Sequence, residues 1–202
     1  EAMVPEVCIF FENHLMRGNR TIKTNAENFN AFRSFNYPAL ARVGIHIKYE
    51  PSLIRKPDYS QPLKPHYLFD NKVVILTLFP GIKEEIITSL FHVPGLKAVV
   101  LKTYGSGNAP QKEGLIQLLK KATERGIIIV NITQCTSGAV EMERYETGIH
   151  LLQAGVISGY DSTPEAAVTK LMFLLGHGLT NKEIRQLMNT NLAGEITKPA
   201  YK

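Results

Sequence analysis

The sequence has few cysteines and no long apolar run. Among its 202 residues only Cys8 and Cys135 are cysteines, and each lies in or beside a strand-like run. Two distant cysteines in such runs indicate buried free thiols rather than a disulfide, and therefore a cytoplasmic protein. No stretch of eighteen apolar residues occurs, so we expect no membrane-spanning helix.

A strong charge of one sign is also lacking. Lysine and arginine number 23 against 18 acidic residues, a formal net charge of +5, and the basic residues are interspersed with acidic ones. This pattern is typical of solvated helix faces and not of a nucleic-acid-binding surface. The six histidines show no metal-ligand spacing. A dinucleotide fingerprint is incomplete, because Pro110 stands where the third glycine should follow Gly105 and Gly107. We therefore expect no metal, no cofactor and no nucleic-acid partner.

Residues 72–202 show the pattern of an α/β unit. Near-continuous apolar strands at 73–78, 98–103 and 127–132 alternate with amphipathic helices. Such strands predict a parallel sheet that is covered on both faces, as in a Rossmann-like domain. Capping sequences at 162–165 and 180–183 predict two closing helices, over 166–175 and 184–189. The last residues, 195–202, have the composition of a loose tail.

The leading part of the chain reads differently. We expect strands at 7–11, 14–17 and 43–48 and a short helix over 26–32, which Asn25 could cap. Four prolines without any period make 49–71 an extended linker. A strand begins almost at once and nothing resembles a signal segment, so the chain looks like a piece whose upstream part is missing. The predicted division is 1–48, the end of a larger amino-terminal α/β domain; 49–71, the linker; and 72–202, a complete smaller carboxyl-terminal domain.

Two polar clusters and one loop could support chemistry. Asn108 lies in a glycine-bearing loop that follows a strand, where small ligands bind in open α/β sheets. A run of amides and hydroxyls at 131–138 ends the next strand, so we expect it to lie beside that loop. Lys23 follows a hairpin between threonines, where partial burial would lower the pKa of its amine and make it a base. The alternatives are ordinary: a solvated surface lysine, and hydrogen bonds that only build the loops.

Four segments resemble the L-asparaginase/glutaminase family, and its cytosolic type I bacterial branch in particular. They read RGNRTIKTN at 17–25, FRSFNYP at 32–38, YGSGNAPQ at 104–111 and NITQCTSG at 131–138. The resemblance implies two α/β domains and hydrolysis of L-asparagine to aspartate and ammonia by a threonine nucleophile. The family's TGGTI-like and GTDT-like threonine motifs do not occur in these 202 residues. The resemblance thus implies the end of a catalytic domain, a linker and a whole carboxyl-terminal domain.

The resemblance also implies roles for single residues. Lys23 matches the lysine that supports proton transfer, and Asn108 matches a loop asparagine that reaches a neighbouring subunit's substrate, which implies a homodimer or homotetramer. Glu141 matches an acidic substrate-binding residue, although Glu143 competes for that role. A second, allosteric asparagine site would involve Lys102, Thr133 and Cys135. Members of the family commonly have arginine at the position of Lys102. Because lysine cannot make the bidentate contact that arginine makes with a carboxylate, we expect weak allostery or none.

Two other functions remain open. The same fold serves as a subunit of a tRNA-dependent amidotransferase, for which a basic face or an extra leading domain would be expected. The chain could also be a non-catalytic asparagine-binding or dimerising module that uses the Asn108 loop.

Overall fold

The amino-terminal part of the chain folds as a small antiparallel sheet. In the computed structural model, which describes residues 3–110 and 113–198, four strands pair in the order β1-β2-β5-β6. These are β1 (Cys8–Phe11), β2 (His14–Arg17), β5 (Ala41–Val43) and β6 (Ile47–Tyr49). Between them a single 3-10 turn, Gly18–Arg20, leads into a two-stranded hairpin of β3 (Ile22–Lys23) and β4 (Phe32–Arg33).

Two expectations for this part are wrong. Residues 26–32 form no helix. The Asn25 side chain instead forms a local turn, in which its Oδ1 accepts the N–H groups of Glu27 and Asn28 at 2.9 and 3.1 Å. After this turn the chain runs in an extended conformation into β4. The expected strand at 43–48 is interrupted, since the chain turns around Gly44 and only β6 continues.

The carboxyl-terminal part is built on a four-stranded parallel sheet. Its order is β10-β9-β8-β7, with β7 (Val73–Thr77), β8 (Ala98–Thr103), β9 (Ile128–Thr133) and β10 (Ile157–Ser158). Every side chain of β9 is buried and β8 is nearly so. This confirms the predicted α/β fold with a sheet that is covered on both faces.

In the described part of the chain, five helices cover the sheet. On one face lie α1 (Glu84–Phe91), α2 (Glu113–Glu124) and α3 (Glu146–Gln153); on the other lie α4 (Pro164–Gly176) and α5 (Asn181–Met188). Thr163 caps α4 and a capping box of Thr180 and Glu183 begins α5, as predicted. The start predicted for α2 at 111 lies outside the described residues. Among the described residues, no helix is both long and apolar enough to cross a bilayer.

The expectation of a loose tail is wrong for its described residues. Glu195 and Ile196 are buried, and the Glu195 carboxylate lies 2.5 Å from Lys170 Nζ in α4. The tail also receives two buried arginines from the amino-terminal part. Arg17 donates to the Gly194 carbonyl at 3.2 Å, and Arg20 donates to the Glu195 carbonyl at 2.7 Å. The tail therefore joins the two parts of the molecule.

Candidate functional site

The Asn108 loop, residues 104–110, follows the carboxyl end of β8. The Tyr104 N–H donates to the Asn108 carbonyl at 2.9 Å, and the Asn108 N–H donates to the Tyr104 carbonyl at 2.8 Å. Gly107 has φ +111°, and a Cβ there would lie 2.7 Å from Val140 Cγ1. A side chain at this position would therefore be strained by its backbone and would collide with its neighbour.

Buried side chains of β9 hold this loop in place. Asn131 is fully buried; its Oδ1 accepts from Thr103 Oγ1 at 2.7 Å and its Nδ2 donates to the Gly107 carbonyl at 3.4 Å. Thr133 Oγ1 donates to the Gly105 carbonyl at 2.5 Å. The structure thus brings the 131–138 segment beside the Asn108 loop, and these two polar side chains build the loop.

The Asn108 side chain is oriented from α3. Its Oδ1 accepts from Thr147 Oγ1 at 2.7 Å, and within the described residues its Nδ2 has no hydrogen-bond partner. An amide held in this way offers its N–H groups to an acceptor such as a carboxylate oxygen. Sequence reasoning missed Thr147, because α3 itself was not predicted; a glutamate and a threonine after a turn were the only signal for a helix start.

The two competing glutamates occupy different positions. Glu141 contacts the Asn108 loop, since its N–H donates to the Ser106 carbonyl at 2.9 Å. Its half-exposed carboxylate pairs with Arg144 at 2.9 Å. Glu143 is exposed and borders a cavity of about 310 Å³ that also includes Tyr160 and Arg185. Of the two, Glu141 lies at the loop.

The expected allosteric residues do not share one face of the sheet. Lys102 pairs with Ile132, and Thr103 pairs with Thr133. Since successive side chains of a strand point to opposite faces, the Lys102 side chain lies on the α4 face of the sheet and the Thr133 side chain on the α2 face. Cys135 is exposed, and its N–H donates to Thr133 Oγ1 at 2.9 Å.

Lys23 lies on the hairpin of the amino-terminal part. It is exposed, and its Nζ lies 5.9 Å from the centroid of the Phe32 ring. Of the two alternatives for Lys23, the structure shows the solvated surface lysine and not partial burial, because within the described residues the two-stranded hairpin leaves the ammonium group uncovered. Within the described residues, no hydrogen bond links Lys23 to Asn108 or Glu141.

Asn36 nevertheless connects the two regions. Its Oδ1 accepts the Gly138 N–H at 2.8 Å and its Nδ2 donates to the Gly138 carbonyl at 3.0 Å. The amino-terminal part thus rests directly on the 131–138 segment. Among the described residues, no group of three or more His, Cys, Asp or Glu side chains is arranged to hold a metal ion.

Comparison with known families gives two matches. The family model described as "Asparaginase, N-terminal" matches residues 1–55, and the one described as "Glutaminase/Asparaginase C-terminal domain" matches residues 72–188. The first ends beyond the small antiparallel sheet, and the second begins just before β7.

Individual relatives are similar over nearly the whole chain. The 60 kDa lysophospholipase of Homo sapiens is 45% identical over 199 residues, 98% of this chain and 34% of its own length. L-asparaginase 1 of Escherichia coli K12 is 43% identical over 194 residues, 96% of this chain and 57% of its own length. The crystal structure of L-asparaginase I from Vibrio cholerae superposes with a TM-score of 0.90 at 44% identity, covering 96% of this chain and 58% of that one. The chain thus spans between a third and three fifths of these relatives.

Proposed function

Since this chain belongs to the glutaminase/asparaginase family, we propose that the protein hydrolyses the side-chain amide of L-asparagine, giving L-aspartate and ammonia. The observation that carries this proposal is the construction of the Asn108 loop. Buried Asn131, with Thr103 and Thr133, shapes a loop on which Asn108 Nδ2 has no hydrogen-bond partner among the described residues, in a chain that is 43% identical to an L-asparaginase. The hydrogen bonds of Asn131 and Thr133 hold this loop in one conformation, as a preorganised binding site requires.

Asn108 would hold the amino-acid end of the substrate. Thr147 occupies the acceptor of this amide, which leaves the Nδ2 donors for a substrate carboxylate. Glu141 would accept from the substrate's ammonium group, because its carboxylate is half-exposed next to the same loop. A donor and an acceptor side by side suit a zwitterion such as asparagine or aspartate.

Lys23 would support proton transfer. The nucleophile by family resemblance is a threonine whose motifs do not occur in these 202 residues, so we propose that a further segment supplies it. An amine near that hydroxyl can take up its proton as the hydroxyl attacks the amide carbon. Lys23 is exposed here, and the second segment would cover it and bring the hydroxyl within reach.

We further propose a cytoplasmic homo-oligomer. Cys8 and Cys135 are both free thiols, as in a reducing compartment. A homodimer is the minimum if the Asn108 loop completes a neighbour's site. An allosteric asparagine site would be weak or absent, since Lys102 and Thr133 lie on opposite faces of the sheet and lysine makes no bidentate contact with a carboxylate.

The test is release of ammonia from L-asparagine. We expect none from the chain alone, and activity when a polypeptide with the family's threonine motifs is added. In the complete enzyme, Lys23→Ala should lower kcat by about 10²- to 10⁴-fold. Lys48→Ala is the matched control, since Lys48 is also an exposed lysine on a strand of the same part. Activity from the chain alone would mean that its nucleophile lies within these residues and would contradict the proposal for Lys23.

A second candidate is hydrolysis of a lysophospholipid. The 45% identity to a protein called a lysophospholipase favours it, as do the exposed apolar side chains of Leu63, Tyr67 and Leu68, which are 95, 81 and 62% exposed. Release of fatty acid from lysophosphatidylcholine by the same complete enzyme distinguishes the two activities.

An amidotransferase subunit would instead release ammonia only with a charged tRNA acceptor, and a binding module would take up asparagine without turnover.

A further inference from the structure

Two histidines that are far apart in the sequence meet on the surface of α4. His66 lies in the extended segment before β7, and His177 directly follows the end of α4. Nδ1 of His66 lies 2.9 Å from Nε2 of His177, although the residues are 111 positions apart. The contact lies on the α4 face of the sheet and involves none of the residues to which we give a role in catalysis.

The hydrogen-bond partners determine where the protons are. Nδ1 of His177 lies 2.7 Å from the Phe173 carbonyl oxygen. A carbonyl only accepts, so this nitrogen carries a proton, and in neutral His177 the Nε2 lone pair points at His66. Nδ1 of His66 must then donate to it. Two ring nitrogens thus converge on a single proton.

We propose that His66 and His177 form a two-histidine site for a late first-row divalent cation such as Zn²⁺ or Ni²⁺. The cation takes the place of the shared proton. That proton moves to Nε2 of His66, so both imidazoles remain neutral and each offers one lone pair. With metal–nitrogen bonds of about 2.0–2.1 Å in tetrahedral geometry, the two nitrogens would be about 3.3 Å apart. The present 2.9 Å would open by about 0.4 Å, and the rings would turn so that both lone pairs point at the cation, with water completing the coordination.

The surroundings match those of a metal-binding histidine. Such ligands usually donate their second ring N–H to a backbone carbonyl or a carboxylate, which fixes the ring orientation; in His177 the Phe173 carbonyl already serves in this way. The His66 ring packs edge-on against Phe173 with centroids 5.4 Å apart, and the Asp70 N–H donates to the Met172 carbonyl at 3.0 Å. The two imidazoles are therefore oriented before any cation binds.

Binding would fasten the extended segment to α4. The nearest ion pair along this segment joins Asp70 to Lys97 at 2.8 Å and does not involve α4. The cation would thus join two parts of the chain that are otherwise held together here by ring packing and a backbone hydrogen bond.

His92 is a natural control. It directly follows the end of α1, and its Nδ1 lies 2.7 Å from the Thr88 carbonyl. This repeats the geometry of His177 with the same spacing of four residues. Within the described residues, no second imidazole hydrogen-bonds to His92, so a single terminal histidine can be separated from the pair.

The experiment is calorimetric titration of the tag-free chain with Zn²⁺ and, separately, Ni²⁺, with Mg²⁺ as a cation that prefers oxygen ligands. We expect one bound Zn²⁺ or Ni²⁺ per chain and a Tm that rises by about 5–10 °C at 100 times the Kd. His66→Asn and His177→Asn should each weaken binding about tenfold or more, and His92→Asn should leave it unchanged.

Three results would overturn the proposal. The first is no saturable binding of either metal by the unmodified chain. The second is binding that persists in His66→Asn or His177→Asn, which would place the cation on another group such as the exposed Cys135 thiol. The third is an equal loss in His92→Asn. Because His66 is exposed and His177 only half-buried, circular dichroism should show these variants folded.

Discussion

The Asn108 loop and the hairpin that carries Lys23 are held in place by different means. The loop is fixed by its own sheet, through the fully buried Asn131 and its hydrogen bonds to Thr103 and Gly107. The hairpin has two short strands and no core of its own. The Phe32 ring packs edge-on against Phe11 of β1, and Arg20, just before the hairpin, reaches across to the carboxyl-terminal part.

This difference divides the proposed site into two halves. The Asn108 loop is preorganised by its own sheet, whereas the Lys23 hairpin is positioned in part by contacts between the two parts of the molecule. Arg20 is 2% exposed; it makes a bidentate pair with Asp161 at 2.9 and 2.5 Å and donates to Thr197 Oγ1 at 2.9 Å. The Asn108 loop can therefore keep its shape when the two parts separate, whereas the Lys23 hairpin loses the Arg20–Asp161 ion pair beside it.

Removal of Arg20 should have the largest effect. Arg20→Ala leaves the Asp161 carboxylate buried without its partner, a change that costs about 3–5 kcal/mol. Urea denaturation measures this loss. Hydrogen exchange should speed up at residues 18–25 while β8 and β9 stay protected. Arg33→Ala, an exposed arginine on the same hairpin, should change the stability by less than about 0.5 kcal/mol. Equal losses in both variants would contradict the bridging role of Arg20.

The buried pair between the tail and α4 should make stability depend on pH. Burial raises the pKa of Glu195, but hydrogen bonds from Lys170 and from the N–H groups of Ala193 and Leu192 outweigh it and hold that pKa below 4.5. The ionised carboxylate therefore stabilises the fold above pH 4.5, and this contribution is lost as the pH falls through the lowered pKa.

Glu195→Gln tests this dependence. We expect a loss of about 3 kcal/mol at pH 7, because the Lys170 charge is left without its partner, and a shallower fall in stability below pH 4.5 than in the unmodified protein. Thermal unfolding at a series of pH values measures both. A variant with the same acid slope as the parent would show that another carboxylate, such as Glu6 beside Arg17, controls the acid transition.

A single hydroxyl should measure how firmly the sheet holds the Asn108 loop. Thr103→Val keeps the shape of the side chain but removes the donor to Asn131 Oδ1, at a cost of about 1–3 kcal/mol. Thr77→Val, at the exposed end of the neighbouring strand β7, should change the stability by less than about 0.5 kcal/mol. Urea denaturation compares the two. The hairpin should keep its hydrogen-exchange protection in both variants, in contrast to Arg20→Ala.

The same contrast explains what could be predicted from the sequence. Strand β8 has the predicted bounds, and the caps at Thr163 and Thr180 begin their helices as expected, because apolar runs and capping residues act within a few positions. The partners Arg20 and Asp161 are 141 residues apart, and no local pattern marks their contact. The predicted helix at 26–32 failed for the opposite reason, since Asn25 forms a local turn that does not continue.

The smallest effect should come from Thr147, which would act on the substrate only through Asn108. Thr147→Val removes the hydroxyl that orients the Asn108 amide at 2.7 Å. A hydrogen bond of about 1 kcal/mol corresponds to a roughly fivefold rise in KM for L-asparagine in the complete enzyme. The kcat should change little, because Asn108 would contact the amino-acid end of the substrate and not the scissile amide. Thr147→Ser retains the hydroxyl and should retain the KM; a rise in Thr147→Ser with none in Thr147→Val would show that the methyl packing of Thr147, and not its hydrogen bond, positions the loop.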